Sequence, residues 1–340
     1  MKKKPFKIIF NFLVILIVLS IVLYFSLKDN YEEIISAIIN IKPSYIFMSV
    51  FLLILYRFIL SIVYYNIVKI NKEEIPLLKC FQINLMTLFF NGITPFSGGG
   101  QPMEIYYLHK EGLTVTKSTN ITLQNFIVYQ IALVIVGVIA LTYNNIYNLF
   151  PNDNFIKRLV VLGFLVNFLV LVASFILSFG KKLQIFISNK VLRLLTKLHI
   201  IKDEEKISGK ITEYLNNFHK NAKYLKRNKK LVLCLVLLNI MGLLTFYSMP
   251  YFIAKGLNLS ITLTNSVIAT AYVMIIGSFI PIPGGTGGIE YGFIFFYSYL
   301  IKGSLVNALM LIWRFISYYF GMILGAMSLS LYRKKEKLWE

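Results

Sequence analysis

Acidic side chains are scarce in this chain, with 15 Asp and Glu against 35 Lys and Arg, and a formal charge of +20. Cysteine is scarcer still. Cys80 and Cys234 both stand in apolar context and far apart, which suggests neither a disulfide framework nor a cysteine metal site. His109, His199 and His219 lack metal-ligand spacing and are read as solvated or interfacial. A G-x-x-x-x-G-K-[ST] loop, an H-E-x-x-H pair and a Ser-His-Asp pattern are all missing, so neither an ATP-driven pump nor a hydrolase is supported. No catalytic residue, metal or cofactor is expected. The alternating strands of a membrane barrel are missing too.

Over long stretches charge itself is missing. Of the 340 residues 57% are hydrophobic, and the mean hydropathy is +0.69, which points to an integral membrane protein. Six runs, Ile8 to Leu27, Tyr45 to Ile67, Ile121 to Tyr143, Leu159 to Phe179, Leu231 to Ala254 and Leu305 to Leu331, are each long enough to cross about 30 Å of hydrocarbon as a helix. The first follows the basic start MKKKPFK, but its apolar run exceeds that of a secretory signal and no small-residue cleavage site follows. It is read as a retained helix.

The excess of positive charge fits the positive-inside rule. Attraction to anionic headgroups is the sharper reading, and nucleic-acid binding is not supported, because no matching motif accompanies the basic residues. Lys and Arg collect at the N-terminus, between Lys181 and Lys230 and at the C-terminus, so all three are expected in the cytoplasm. The 181–230 segment carries fourteen basic and four acidic residues, with Ile207, Ile211, Leu215, Phe218, Ala222 and Leu225 at helical spacing. It reads as a basic amphipathic connector on the inner leaflet.

With those three sides fixed, the chain from Lys79 to His109 must start and end on one face although Cys80 to Ile93 is strongly apolar. Ile261 to Lys302 must do the same from the opposite face. Their turns are TPFSGGGQPME (94–104) and IPIPGGTGGIE (280–290). At an offset of about 186 residues Pro95 falls on Pro281, Gly98 and Gly99 on Gly284 and Gly285, and Glu104 on Glu290, and the flanking spans coincide as well. The expected fold is therefore an all-α integral membrane protein, one polytopic domain over 1–340, with six spanning helices plus two re-entrant hairpins. Segments 43–143 and 231–332 form an inverted-topology repeat.

Non-helical backbone at membrane depth must face protein or a water-filled cavity, so both breaks are candidate site walls. Gly98, Gly99 and Gly100, with Gly284, Gly285, Gly287 and Gly288, would offer half-helix N–H groups to a phosphate. Gln101, Pro102 and Glu104 fit the N-cap, N1 and N3 positions of a returning half-helix, and Glu290 fits the same role. The glutamates therefore either only cap or also meet a cationic group. Arg57 and Arg314 lie inside spans, where a charge is costly. They are expected to pair with Glu104, Glu290 or a lipid phosphate, with snorkelling or a purely structural pair as the alternative. The amides Asn84, Asn91, Gln124, Asn125 and Gln130 either line a polar path or bond helix to helix.

The stretches TPFSGGGQPMEIYYL and PIPGGTGGIEYG, with Arg314 in the last span, resemble the lysylphosphatidylglycerol synthase transmembrane family, the flippase-like part of multiple-peptide-resistance factors. The resemblance covers almost the whole chain. It implies a bacterial cytoplasmic (inner) membrane, a role in antimicrobial peptide resistance, and handling of anionic or lysyl-modified phospholipids. Family members that make lysyl-phosphatidylglycerol carry a soluble aminoacyltransferase domain after the membrane part. This sequence stops at Glu340, so a stand-alone flippase-type module is expected, acting as a homo-oligomer or beside a separate synthase. The rival readings are a phosphatidylglycerol lysyltransferase, as the family name suggests, and an ion-coupled small-solute transporter.

Overall fold

The computed structural model describes residues 31–150, 154–180, 228–278 and 280–337, with Phe186 and Lys190. The expected first span, Ile8 to Leu27, and most of the 181–230 connector lie outside the described residues. Among the described residues the chain is all-helical. The helices are α1 (Tyr31–Ile39), α2 (Pro43–Ile70), α3 (Leu77–Gly92), α4 (Gly100–Lys110), α5 (Val115–Tyr147), α6 (Asn154–Phe179), α7 (Lys229–Tyr247), α8 (Met249–Gly256), α9 (Leu263–Gly277), α10 (Gly288–Ser298), α11 (Leu305–Arg314) and α12 (Gly321–Lys337).

Five segments are long and apolar enough to cross a membrane: Pro43–Ile70, Val115–Tyr147, Phe155–Ile176, Lys229–Gly256 and Leu305–Tyr332. Each overlaps an expected run, because burying every backbone polar group inside one apolar helix requires such a run. Two of them are irregular in ways not expected. Ser248 interrupts the fourth just before Pro250, whose ring cannot continue the ladder. In the fifth, Phe315–Phe320 widens to a π-helix between α11 and α12.

The helices flanking the two breaks are short. With 16, 11, 15 and 11 residues, α3, α4, α9 and α10 each fall below the roughly 20 residues a crossing needs. The hairpin arms α3 and α4 touch each other, as do α9 and α10, and the two breaks touch at their tips.

The halves of the chain interlock. Helix α3 lies along α12, whose Gly321 and Gly325 allow close approach: a Cβ on Gly325 would sit 2.7 Å from the Phe89 nitrogen and 2.8 Å from the Leu85 oxygen. Gln82 Nε2 donates to the Ser328 carbonyl and Ser328 Oγ to the Gln82 carbonyl, which pins that contact. Helix α2 packs on α7 and α8, and α5 on α6 and α7.

Candidate functional site

Both breaks begin with a short 3-10 turn, Pro95–Ser97 and Pro283–Gly285, and in each the second and third residues take left-handed backbone angles. In the second turn these are Gly284 (φ 64°) and Gly285 (φ 63°), for which the conformation is easy. In the first they are Phe96 (φ 55°) and Ser97 (φ 51°), which is strained backbone for side chains that carry a Cβ. The turns thus correspond Pro95 to Pro283, and the returning helices Gly100 to Gly288. This corrects the register read from the sequence by two residues. Pro281 is an exposed residue ahead of its turn, and Glu104 and Glu290 do not occupy matching places.

The capping expectation for Gln101, Pro102 and Glu104 is corrected as well. Helix α4 starts at Gly100 with Gly99 as its cap, which puts Glu104 past the first turn. The caps come from upstream: Thr94 Oγ1 accepts from the Gly99 nitrogen at 2.8 Å, and Asn91 Oδ1 from the Gly100 nitrogen at 2.7 Å. Gly98 donates to the Pro95 carbonyl. In the second break Gly285 donates to the Ile282 carbonyl, and Gly287 (φ 91°) donates to Glu290 Oε2 at 2.6 Å, so Glu290 does cap α10. Most of the glycine N–H groups expected to meet a phosphate are therefore already bonded, because the turns close on themselves.

Around the second break every charge is matched. Arg314 Nε donates to Glu290 Oε1 at 2.6 Å, and its Nη2 donates to the Gly284 carbonyl at 2.6 Å and reaches Thr286 Oγ1 at 3.4 Å. The arginine is 5% and the glutamate 2% exposed, so this buried ion pair has its remaining hydrogen bonds satisfied. The guanidinium also lies 4.2 Å from the centre of the Tyr318 ring. Tyr318 in turn donates to the Gly92 carbonyl at 2.8 Å, tying the π-helix to the end of α3. Arg314 and Glu290 thus form a staple holding the second break shut.

The first break is different. Its tip, Pro95 to Gly98, is exposed, and behind it lies a cavity of about 240 Å³. Helix α2 supplies Tyr56 and Arg57, α3 supplies Asn84, Thr87 and Asn91, and the break supplies Ser97, Gly100, Gln101 and Glu104; Thr122, Asn125 and Tyr129 come from α5, and Asn239 from α7. Glu104 is 8% exposed and, among the described residues, makes neither a hydrogen bond nor an ion pair. Arg57 stands at the same cavity with its Nε buried and unpartnered, as are Asn84 Oδ1, Thr122 Oγ1 and Asn239 Oδ1. Buried polar atoms are nearly always bonded, so these unpartnered atoms set the cavity apart from the closed second break.

The structure therefore brings Arg57, Gly100, Gln101 and Glu104 to one cavity, and gathers Gly284, Gly285, Gly287, Glu290 and Arg314 in a closed staple beside it. The expected amides divide likewise. Asn84, Asn91 and Asn125 line the cavity, whereas Gln124 bonds Asn71 and Asn120, and Gln130 bonds Asn167. Sequence reasoning missed Tyr56, Thr87, Thr122, Tyr129 and Asn239, which carry no mark beyond lying inside apolar runs. Among the described residues no group of three or more His, Cys, Asp or Glu could hold a metal.

Residues 11–325 match the family model described as the lysylphosphatidylglycerol synthase TM region, and the chain belongs to that family. A UPF0104 membrane protein of Methanocaldococcus jannaschii is 28% identical over 344 residues, covering 94% of this chain and 93% of the relative. Another UPF0104 membrane protein, from Archaeoglobus fulgidus, is 24% identical over 254 residues, covering 73% of this chain and 74% of the relative. The family and its several apolar helices make this a multi-pass membrane protein.

Proposed function

We propose that the chain moves polar lipid headgroups across a cytoplasmic membrane, taking the headgroup into the cavity behind the first break. The observation that carries this reading is the set of unpartnered buried polar atoms on Arg57, Asn84, Thr122 and Asn239 around the unpaired carboxylate of Glu104. Arg57 would hold the phosphate of a phosphatidylglycerol-type lipid, and Glu104, with the free amide oxygens of Asn84 and Asn239, the ammonium of an aminoacylated one. The glycines of both breaks serve to shape the turns and let chains approach.

In this reading the two short-armed hairpins are re-entrant, residues 43–143 and 231–332 are inverted repeats, and the termini and the 181–230 connector face the cytoplasm. A lipid-modifying enzyme, on a separate chain or in another domain, would supply the cargo.

The test is a liposome assay with labelled phosphatidylglycerol and lysyl-phosphatidylglycerol. Movement of either lipid by the wild-type chain, slowed by Arg57→Gln, is expected. No movement of any lipid, with imposed ion gradients as well as without, would sink the proposal.

A further inference from the structure

Among the described residues the buried acid of the first break makes no hydrogen bond or ion pair, whereas the acid of the second break is fully matched. Glu104 projects from α4 into the cavity, and the elements packed around it present few groups that could answer its charge. Helix α2 brings Arg57, Tyr56 and Tyr64; α3 brings the neutral Asn84, Thr87 and Asn91; α5 brings Thr122, Asn125 and Tyr129; and α7 brings the neutral amide of Asn239. Arg57 is the one cation in that set, and it makes no ion pair with Glu104 within 4.0 Å. A carboxylate out of water and without a partner is costly by several kcal/mol, so such a group is either protonated or paired with a cation from outside.

We propose that Glu104 is an exchange site at which a proton and the cationic group of the cargo replace each other. The cargo side of the exchange rests on the lipid-handling reading, while the proton side stands on the cavity alone. With the cavity empty, a proton from water adds to the carboxylate and the neutral acid sits behind the break. When an ammonium-bearing headgroup arrives, that proton leaves to cavity water and the carboxylate pairs with the ammonium. The net charge at Glu104 and its partner is zero in both states, so the carboxylate itself is never left as a lone anion. Phosphatidylglycerol, which has no ammonium, would engage Arg57 but would not displace the proton.

Two features support exchange over simple binding. Asn84 Oδ1 and Asn239 Oδ1 are acceptors without donors, which suits a donor-rich ammonium or water entering the cavity. Glu290, by contrast, has one oxygen on the Arg314 guanidinium and the other on the Gly287 nitrogen, leaving it no freedom to exchange.

The experiment is proton counting on the purified full chain in detergent, with a pH-indicator dye. Titration across the neutral range should show the wild-type chain taking up about one proton more than Glu104→Gln. Glu104→Asp, which keeps a carboxyl in the cavity, should retain the uptake and guards against a folding defect in the amide variant. Short-chain lysyl-phosphatidylglycerol should then release that proton from the wild type, and short-chain phosphatidylglycerol should not. Equal uptake by wild type and Glu104→Gln, or equal release by both lipids, overturns the inference even where lipid moves in liposomes. Glu104-dependent uptake with release by neither lipid, and no lipid movement, overturns the lipid reading and with it the cargo half of the exchange, leaving a proton site for a different cargo.

Discussion

Replacing Arg314 by methionine tests whether the second break is held by its buried charge pair. The substitution keeps the apolar stem of the side chain but removes the donors to Glu290 Oε1 and the Gly284 carbonyl, both at 2.6 Å. Glu290, at 2% exposure, would be left with the Gly287 nitrogen as its remaining neighbour in that set. An uncompensated charge at such a site costs about 3–5 kcal/mol. Adding Glu290→Gln removes the charge while keeping an acceptor for Gly287, so the double variant should recover about 2 kcal/mol relative to Arg314→Met alone. Unfolding by SDS in mild-detergent micelles, followed by circular dichroism, measures both. Trp313 is 1% exposed next to the substituted site and gives a local fluorescence reading of the same transition. An Arg314→Met chain within about 0.5 kcal/mol of wild type, or a double variant no steadier than the single, would refute the assignment of the staple.

Gly284→Ala should destabilise by about 2 kcal/mol or more, because the position has φ 64° and its new methyl would lie 2.2 Å from a Tyr318 ring carbon; the same SDS titration reads it. Tyr318→Phe removes one hydrogen bond to the Gly92 carbonyl and should cost about 1 kcal/mol. Gln124→Leu breaks the buried amide cluster with Asn71 and Asn120, and should lower stability by about 1–3 kcal/mol without slowing lipid movement, since Gln124 is not a cavity residue. Cysteines placed at the exposed Lys110 and Lys302 should react with an impermeant thiol reagent from opposite sides of the membrane; labelling from one side would end the inverted-repeat reading.

The membrane-crossing helices were legible because a length requirement leaves a mark in the sequence: Pro43–Ile70 and Val115–Tyr147 are found where charge is lacking. The breaks were legible too, since proline and glycine cluster where a helix cannot continue. Their register was not. Motif spacing aligned the glycines, yet the first turn puts Phe96 and Ser97 in the left-handed positions that Gly284 and Gly285 occupy in the second. Backbone strain of that kind is set by tertiary context. Charge pairing was equally hidden, because Arg314 and Glu290 are 24 residues apart and meet only once the last span is in place. Before folding Glu104 looks identical to Glu290. Asn239 escaped notice because a single amide in an apolar run says nothing about which helix it will face.

The bond from Tyr318 to Gly92 spans 226 residues of sequence, and the paired bonds between Gln82 and Ser328 span 246. The cover of the first hairpin is thus made from a helix that leaves the ribosome long after it. Until α12 arrives, α3 exposes the backbone that Gly325 later shields, and the Gly92 carbonyl waits without its tyrosine. A nascent chain halted before that helix would hold an unsealed hairpin, a natural target for membrane proteases. Closure of the first hairpin therefore waits on contacts supplied by the second half of the chain.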